Sequence, residues 1–99
     1  MQQVLIDYYR AIEDGSRRML EAARAEDWDQ VVQLEGSCAV LIEQLRYRAR
    51  SEELPPEQRA EKTRIMQRIL NNDAQIRHLA EPWLAHFEQK FERLARSLH

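Results

Sequence analysis

Apolar residues recur along this chain at alternating steps of three and four, the period of helices that bury one face. From Gln2 to Ala25, one stripe holds Leu5, Tyr9, Ile12, Ser16, Met19 and Ala23, flanked by Tyr8 and Leu20. This predicts a first helix over 2–25. Gly15 falls in its middle, where glycine costs roughly 1 kcal/mol relative to alanine, so a close contact or a slight bend is expected there. The pattern breaks at Ala25-Glu26-Asp27. Asp27 is a suitable N-cap, and Gln30 three residues later completes a capping-box-like arrangement. A second helix is predicted over 28–50, with Val31, Leu34, Cys38, Leu41, Ile42 and Leu45 on one face. Trp28, Val32, Gly36 and Ala39 form a milder second face. Antiparallel pairing about a turn near residue 26 sets Gly15 and Ser16 opposite Ser37 and Gly36, predicting a close waist between the two helices.

Residues 51–56 read as a linker, because Pro55 and Pro56 stop one helix and pre-organise the first turn of the next. Glu57 and Glu61 suit that N-terminus electrostatically. A third helix is predicted over 56–80. It has one stripe of Ile65, Ile69, Ile76 and Leu79 interrupted by Asn72, and an adjacent one of Met66, Leu70, Asp73 and Arg77. Asp73 and Arg77 stand in the favourable acid-first order, one turn apart. Pro82 then removes a helical donor and pushes Glu81 away from α geometry, which predicts a corner or hinge. A fourth helix is expected over 82–97, strongly amphipathic, with Leu84, Phe87, Phe91 and Leu94 on one face.

The expected fold is therefore all-α: one domain over 1–99, an antiparallel bundle of about four helices, its last helix packed as a mobile lid. Composition agrees, since 99 residues carry only 2 glycines and 3 prolines. A chain of this size can build one core without disulfides or metal. The single cysteine fits a reducing compartment, and the chain shows no signal peptide and no apolar run long enough to span a bilayer. Net charge is −2 from 15 basic and 17 acidic side chains, with no basic footprint for nucleic acid. The one basic cluster, Arg46, Arg48 and Arg50, closes the second helix, where cations suit the dipole.

The residues offer little for catalysis. His78, His86 and His99 do not share a helical face, and no ligand set for zinc accompanies them. Cys38 lies on an apolar face and reads as a small buried hydrophobe. There is no phosphate loop and no nucleophile triad. The arginines fall mostly on solvent faces, which excludes the convergent basic pocket of a small helical chorismate mutase. No cofactor, metal site or enzymatic activity is expected.

Helices 2 and 3 each present an apolar face wider than one helix contact consumes. An amphipathic helical partner needs such a groove, anchored at i, i+3, i+4 and i+7. The expected walls are Leu34, Leu41 and Leu45 facing Met66, Ile69, Leu70 and Ile76. Pro82 would be the hinge that lets the fourth helix occupy the groove, and Asn72, Asp73 and Arg77 form a polar motif beside it.

Three segments carry a resemblance. They are the Tyr8-Tyr9 pair with Met19-Leu20-Glu21-Ala22-Ala23, then Glu26-Asp27-Trp28-Asp29 leading into Leu34-Glu35, and Ile69-Leu70-Asn71-Asn72-Asp73-Ala74-Gln75-Ile76-Arg77-His78-Leu79 followed by Pro82 and Leu84. Together they resemble the FliT-type flagellar export chaperones over nearly the whole chain. The resemblance implies a non-enzymatic cytoplasmic chaperone. It would bind the C-terminal helical segment of the filament-cap protein, prevent premature assembly and deliver it to the flagellar type III export apparatus. It further implies an autoinhibitory last helix and, in some members, binding of the flagellar master transcription regulator. Two other readings stay open: a purely regulatory helical protein that sequesters a transcription factor, and a structural helical oligomer. A homodimer is compatible with each.

Overall fold

The computed structural model describes the backbone of residues 4–97 and the side chains of residues 4–82. Its elements are three helices: α1 (Leu5–Arg24), α2 (Trp28–Ala49) and α3 (Pro56–Ser97). The first two match the predicted segments to within a few residues. The third and fourth predicted helices are one, because α3 runs for 42 residues with Pro82 inside it.

That correction has a physical reason. A proline inside a helix removes one hydrogen bond and crowds the preceding turn, at about 3 kcal/mol. The residues around Pro82 (Ala80, Glu81, Trp83, Leu84, Ala85) include no glycine and no further breaker. A long helical segment lies on each side, so continuity sacrifices one bond, whereas a corner would orphan several donors and carbonyls. The side chains of Leu84, Phe87, Phe91 and Leu94 lie outside the described residues.

The α1–α2 turn is built from three residues. Glu26 takes a left-handed conformation with φ 59°. The Asp27 amide donates to the Ala22 carbonyl at 2.9 Å and the Glu26 amide to the Ala23 carbonyl at 3.0 Å, which together make a Schellman closure. The Asp27 side chain then accepts from the Gln30 amide at 3.2 Å and caps α2. One aspartate thus ends a helix with its backbone and starts the next with its side chain.

α1 is the shared element. Its buried residues include Leu5, Ile6, Tyr8, Tyr9, Ile12, Ser16, Leu20 and Ala23, more than on either neighbour among the described residues. α2 and α3 both pack along it, and among the described residues their Cα atoms nowhere come within 8 Å of each other. The direction of α3 follows from its partners on α1. Arg10 meets Glu61, Glu13 meets Arg68, Ser16 meets Asn72 and Arg24 meets Gln75, so the two helices run parallel, with α2 antiparallel to both. At one end Leu5, Ile6, Tyr9 and Ile65 form the densest core, which Leu45, Leu54 and Ile69 extend. The adjacent tyrosines divide between the neighbours. Arg48 of α2 stands 5.5 Å from the Tyr8 ring, and Lys62 of α3 stands 5.5 Å from the Tyr9 ring.

The predicted waist is half right. A Cβ on Gly15 would lie 2.5 Å from Cys38 Sγ, so α1 and α2 do meet closely there. Gly36 has nothing within 4 Å of where its Cβ would be and is exposed, as is Ser37. The α2 face that packs on α1 is instead the row of Val31, Leu34, Cys38, Leu41 and Leu45. Burial pushes the Cys38 thiol above its ordinary pKa, which keeps it a protonated filler beside the glycine.

Glu26 carries the strain of an L-residue in the left-handed region, about 1 kcal/mol. Glu26→Gly is expected to stabilise the chain by about 0.5–1 kcal/mol and raise Tm by a few degrees in thermal denaturation. An unchanged or lowered Tm would refute the assignment.

Candidate functional site

Two helices that lean on a third, with their own Cα atoms more than 8 Å apart among the described residues, leave a furrow between them. Its upper part is a groove of about 610 Å³, with Ser16 and Met19 of α1 as floor. Trp28, Val31 and Glu35 line it from α2, and Ile69, Leu70, Asp73, Ile76, Arg77 and Ala80 from α3. Leu70 is 63% exposed and Met66, one turn earlier on the same helix, 38%, so apolar side chains face water along this wall. Water-facing apolar surface of this kind marks a partner site more often than a fold requirement.

Four of the seven expected groove residues do not line it. Ile69, Leu70 and Ile76 do. Met66 is exposed beside them, and Leu45 packs against the core at the far end. Leu34 and Leu41 are half-buried on α2 and absent from the groove wall. The wheel for α2 gives a main face and a milder one beside it, and the groove takes the seam between them, with Val31 from the first and Trp28 from the second. The α2 wall is Trp28, Val31 and Glu35, residues spaced at three, four and seven. Sequence reasoning passed over Trp28 and Glu35 as a groove pair. The signal was there in that spacing, masked by the longer leucine row. The indole N–H of Trp28 is buried and has no acceptor among the described residues.

The polar motif has distinct parts. Asn72 Nδ2 donates to Ser16 Oγ at 3.0 Å, and Ser16 Oγ donates to the Glu13 carbonyl at 2.8 Å. Ser16 is buried, so this chain of bonds is the polar pin of the α1–α3 contact. It explains an asparagine within an isoleucine stripe: α3 needs a donor where α1 offers a hydroxyl. Asp73 and Arg77 pair at 3.0 Å, both exposed, on the rim of the groove. They hold each other across one turn.

Ion pairs flank the pin. Arg10 binds Glu61 through two nitrogens at 2.7 and 2.9 Å, and Arg68 binds Glu13 likewise at 3.1 and 3.0 Å. The direction alternates, with one arginine from each helix. Such forked contacts fix geometry more than they add stability at an exposed surface. The hydrogen bond from Arg10 holds the Glu61 carboxyl below its ordinary 4.5, and the hydrogen bond that Arg68 donates to Glu13 raises the Arg68 guanidinium.

Nothing in this arrangement resembles reaction machinery. Among the described residues, no group of three or more His, Cys, Asp or Glu side chains could hold a metal ion. His78 is exposed, 3.7 Å from Glu81, and the other two histidines lie outside the described side chains.

The family model described as flagellar protein FliT matches residues 6–98. The crystal structure of flagellar protein FliT from Bordetella bronchiseptica is similar at 35% sequence identity with a TM-score of 0.73. That similarity covers 87% of this chain and 98% of the other. No curated protein sequence matches.

Two outcomes are expected. Asn72→Ala leaves the buried Ser16 hydroxyl short of a partner and should destabilise by about 1–2 kcal/mol in urea denaturation, with Asn72→Asp failing to rescue because it lacks the donor. Glu61 has a depressed folded pKa, so its contribution is present above pH 4.5 and lost as pH falls through the folded value. The urea midpoints of wild type and Glu61→Gln should therefore differ at pH 7 and converge in acid. A gap that persists at low pH would mean that the pair is not the source.

Proposed function

Because the chain belongs to the FliT family of flagellar proteins, we propose that this flagellar export chaperone holds the C-terminal helical segment of the filament-cap protein in the α2–α3 groove. The observation that carries the reading is that groove: an open apolar furrow, walled by two helices whose Cα atoms stay more than 8 Å apart, at the place where a further helix would complete a bundle. A client segment with apolar residues at i, i+3, i+4 and i+7 would bury them against Leu70, Ile76, Val31 and Trp28. While so held, the client cannot use the same face to assemble with its own kind. The loaded chaperone then presents it to the flagellar export apparatus. No chemistry is needed, since occupancy alone withholds and releases the client. Among the described residues no helix is long and apolar enough to cross a membrane, and the reading places the chaperone in the cytoplasm.

Regulation is assigned to the residues from Pro82 onward. Pro82 follows directly on Ile76, Arg77 and Ala80 of the groove wall and has no N–H to lose when the chain bends. α3 runs straight through Pro82 here; in the closed state of this reading it would break at that proline, and the segment bearing Leu84, Phe87, Phe91 and Leu94 would fold over the groove. A client must displace it, which lowers apparent affinity by the fraction of chains that are closed. The flagellar master transcription regulator is the second partner of this reading. One groove admits one helix, so client and regulator would exclude each other.

The test is a titration with a peptide spanning the C-terminal segment of the cap protein. Binding is expected for the full chain, with at least roughly tenfold weakening for Leu70→Asp, a change at an exposed residue that leaves the fold intact. A chain ending at Glu81 should bind tighter than the full chain. Equal affinities would remove the lid, and unaltered binding by Leu70→Asp would remove the groove.

A further inference from the structure

Among the described residues, one buried side-chain polar atom lacks a partner, and it belongs to the groove: Nε1 of Trp28. An indole nitrogen only donates, and a buried one nearly always finds an acceptor. Ser16 shows how this chain treats another buried polar group of the groove. Its hydroxyl donates to the Glu13 carbonyl at 2.8 Å and accepts from Asn72 at 3.0 Å. That pairing holds α1 to α3. The stranded N–H of Trp28 holds nothing, and a phenylalanine in its place would line the same wall without leaving a donor unmet. The fold accounts for an aromatic ring at position 28 and leaves its nitrogen unexplained.

Trp28 is placed where a guest would meet it. It stands in the first turn of α2, whose backbone is fixed by the cap in which the Gln30 amide donates to the Asp27 side chain at 3.2 Å. The ring's freedom is that of its own two torsions, beside a groove of about 610 Å³ that gives it room to turn. Charge decides which acceptor suits it. Asp27 and Asp29 flank Trp28 in sequence and are exposed, and Glu35 lies two turns further along the same wall. Asp27 already answers the positive end of α2. On the facing wall Arg77 is held by Asp73 at 3.0 Å. A carboxylate entering here meets like charge, whereas a neutral oxygen does not.

We propose that the Trp28 N–H is the specificity-determining donor of the groove: as a helical guest enters, the indole turns and donates to a neutral side-chain oxygen, a carboxamide or hydroxyl, on the guest's buried face. This deepens the client-holding reading given above and rests on it. The apolar walls accept any amphipathic helix of suitable spacing and discriminate weakly. A buried donor discriminates sharply, because only a guest with the oxygen in register gives it a partner. The chain's own segment beyond Pro82 carries Leu84, Phe87, Phe91 and Leu94 on its apolar face, with no such oxygen among them. It would fill the groove and leave Trp28 unmet, so a client with the oxygen displaces it at an advantage.

The test uses the full chain and the peptide spanning the C-terminal segment of the cap protein. In isotope-labelled protein, Trp83→Phe leaves one indole resonance, that of Trp28. It is expected to move downfield on saturation with peptide, as an N–H does on gaining an acceptor. Calorimetric titration then takes peptides in which each Asn, Gln, Ser and Thr in turn is alanine. One of these changes should cost the wild type roughly tenfold in affinity and cost Trp28→Phe, still helical by circular dichroism, almost nothing. An indole resonance unmoved at saturation, or losses that are the same for wild type and Trp28→Phe at every position, would overturn the donor. Leu70→Asp tells that result apart from failure of the groove itself: if it still weakens binding, the groove stands without the donor, and if it does not, both fall.

Discussion

The structure depends on a parallel contact between two helices that are far apart in sequence. α1 and α3 are held in register by a buried pin, Asn72 to Ser16, with forked ion pairs from Arg10 to Glu61 and from Arg68 to Glu13 before it. An apolar stripe alone specifies a face and leaves sliding by a turn nearly free. A donor that must find one buried hydroxyl does not. The groove inherits its shape from this, because Ile69, Ile76 and Ala80 reach the furrow only at that register.

A three-helix arrangement in which two helices share a third always leaves a furrow on one side. Its width is decided by the size of the residues beneath. Here the floor is Ser16 and Met19, a small polar residue and a flexible thioether, and the walls carry branched and aromatic side chains. A shallow, adaptable floor between stiff walls suits a helix that must be taken up and given away again, since methionine repacks around different shapes at little penalty.

Much of this was legible in the sequence. The stripe of α1, the cap at Asp27, the linker at Pro55-Pro56 and the approach at Gly15 follow from period and turn chemistry and reappear in the structure. The fourth helix did not, because a local rule about proline was weighed without the length of helix on each side of Pro82. The waist failed at Gly36 because an antiparallel register counted from the turn is good only to a residue or two, and one residue rotates a helix face by 100°. The groove was half legible. The α3 wall falls on two clear stripes, but α2 carries apolar residues around much of its girth. Periodicity cannot say which of them face the core, the furrow or solvent. Asn72 looked like a flaw in its stripe until Ser16 was found opposite.

The parallel contact also sets an order of events in folding. α1 and α2 are joined by a three-residue turn and can zip from it, whereas the α1–α3 bonds close loops of 51 to 56 residues. Closure entropy rises by roughly 0.6 kcal/mol per doubling of loop length, so docking of α3 follows the hairpin. What docks last tends to detach first. Were a guest held there, loosening and release would be one motion, because peeling α3 from a standing hairpin removes a whole side of the groove at once.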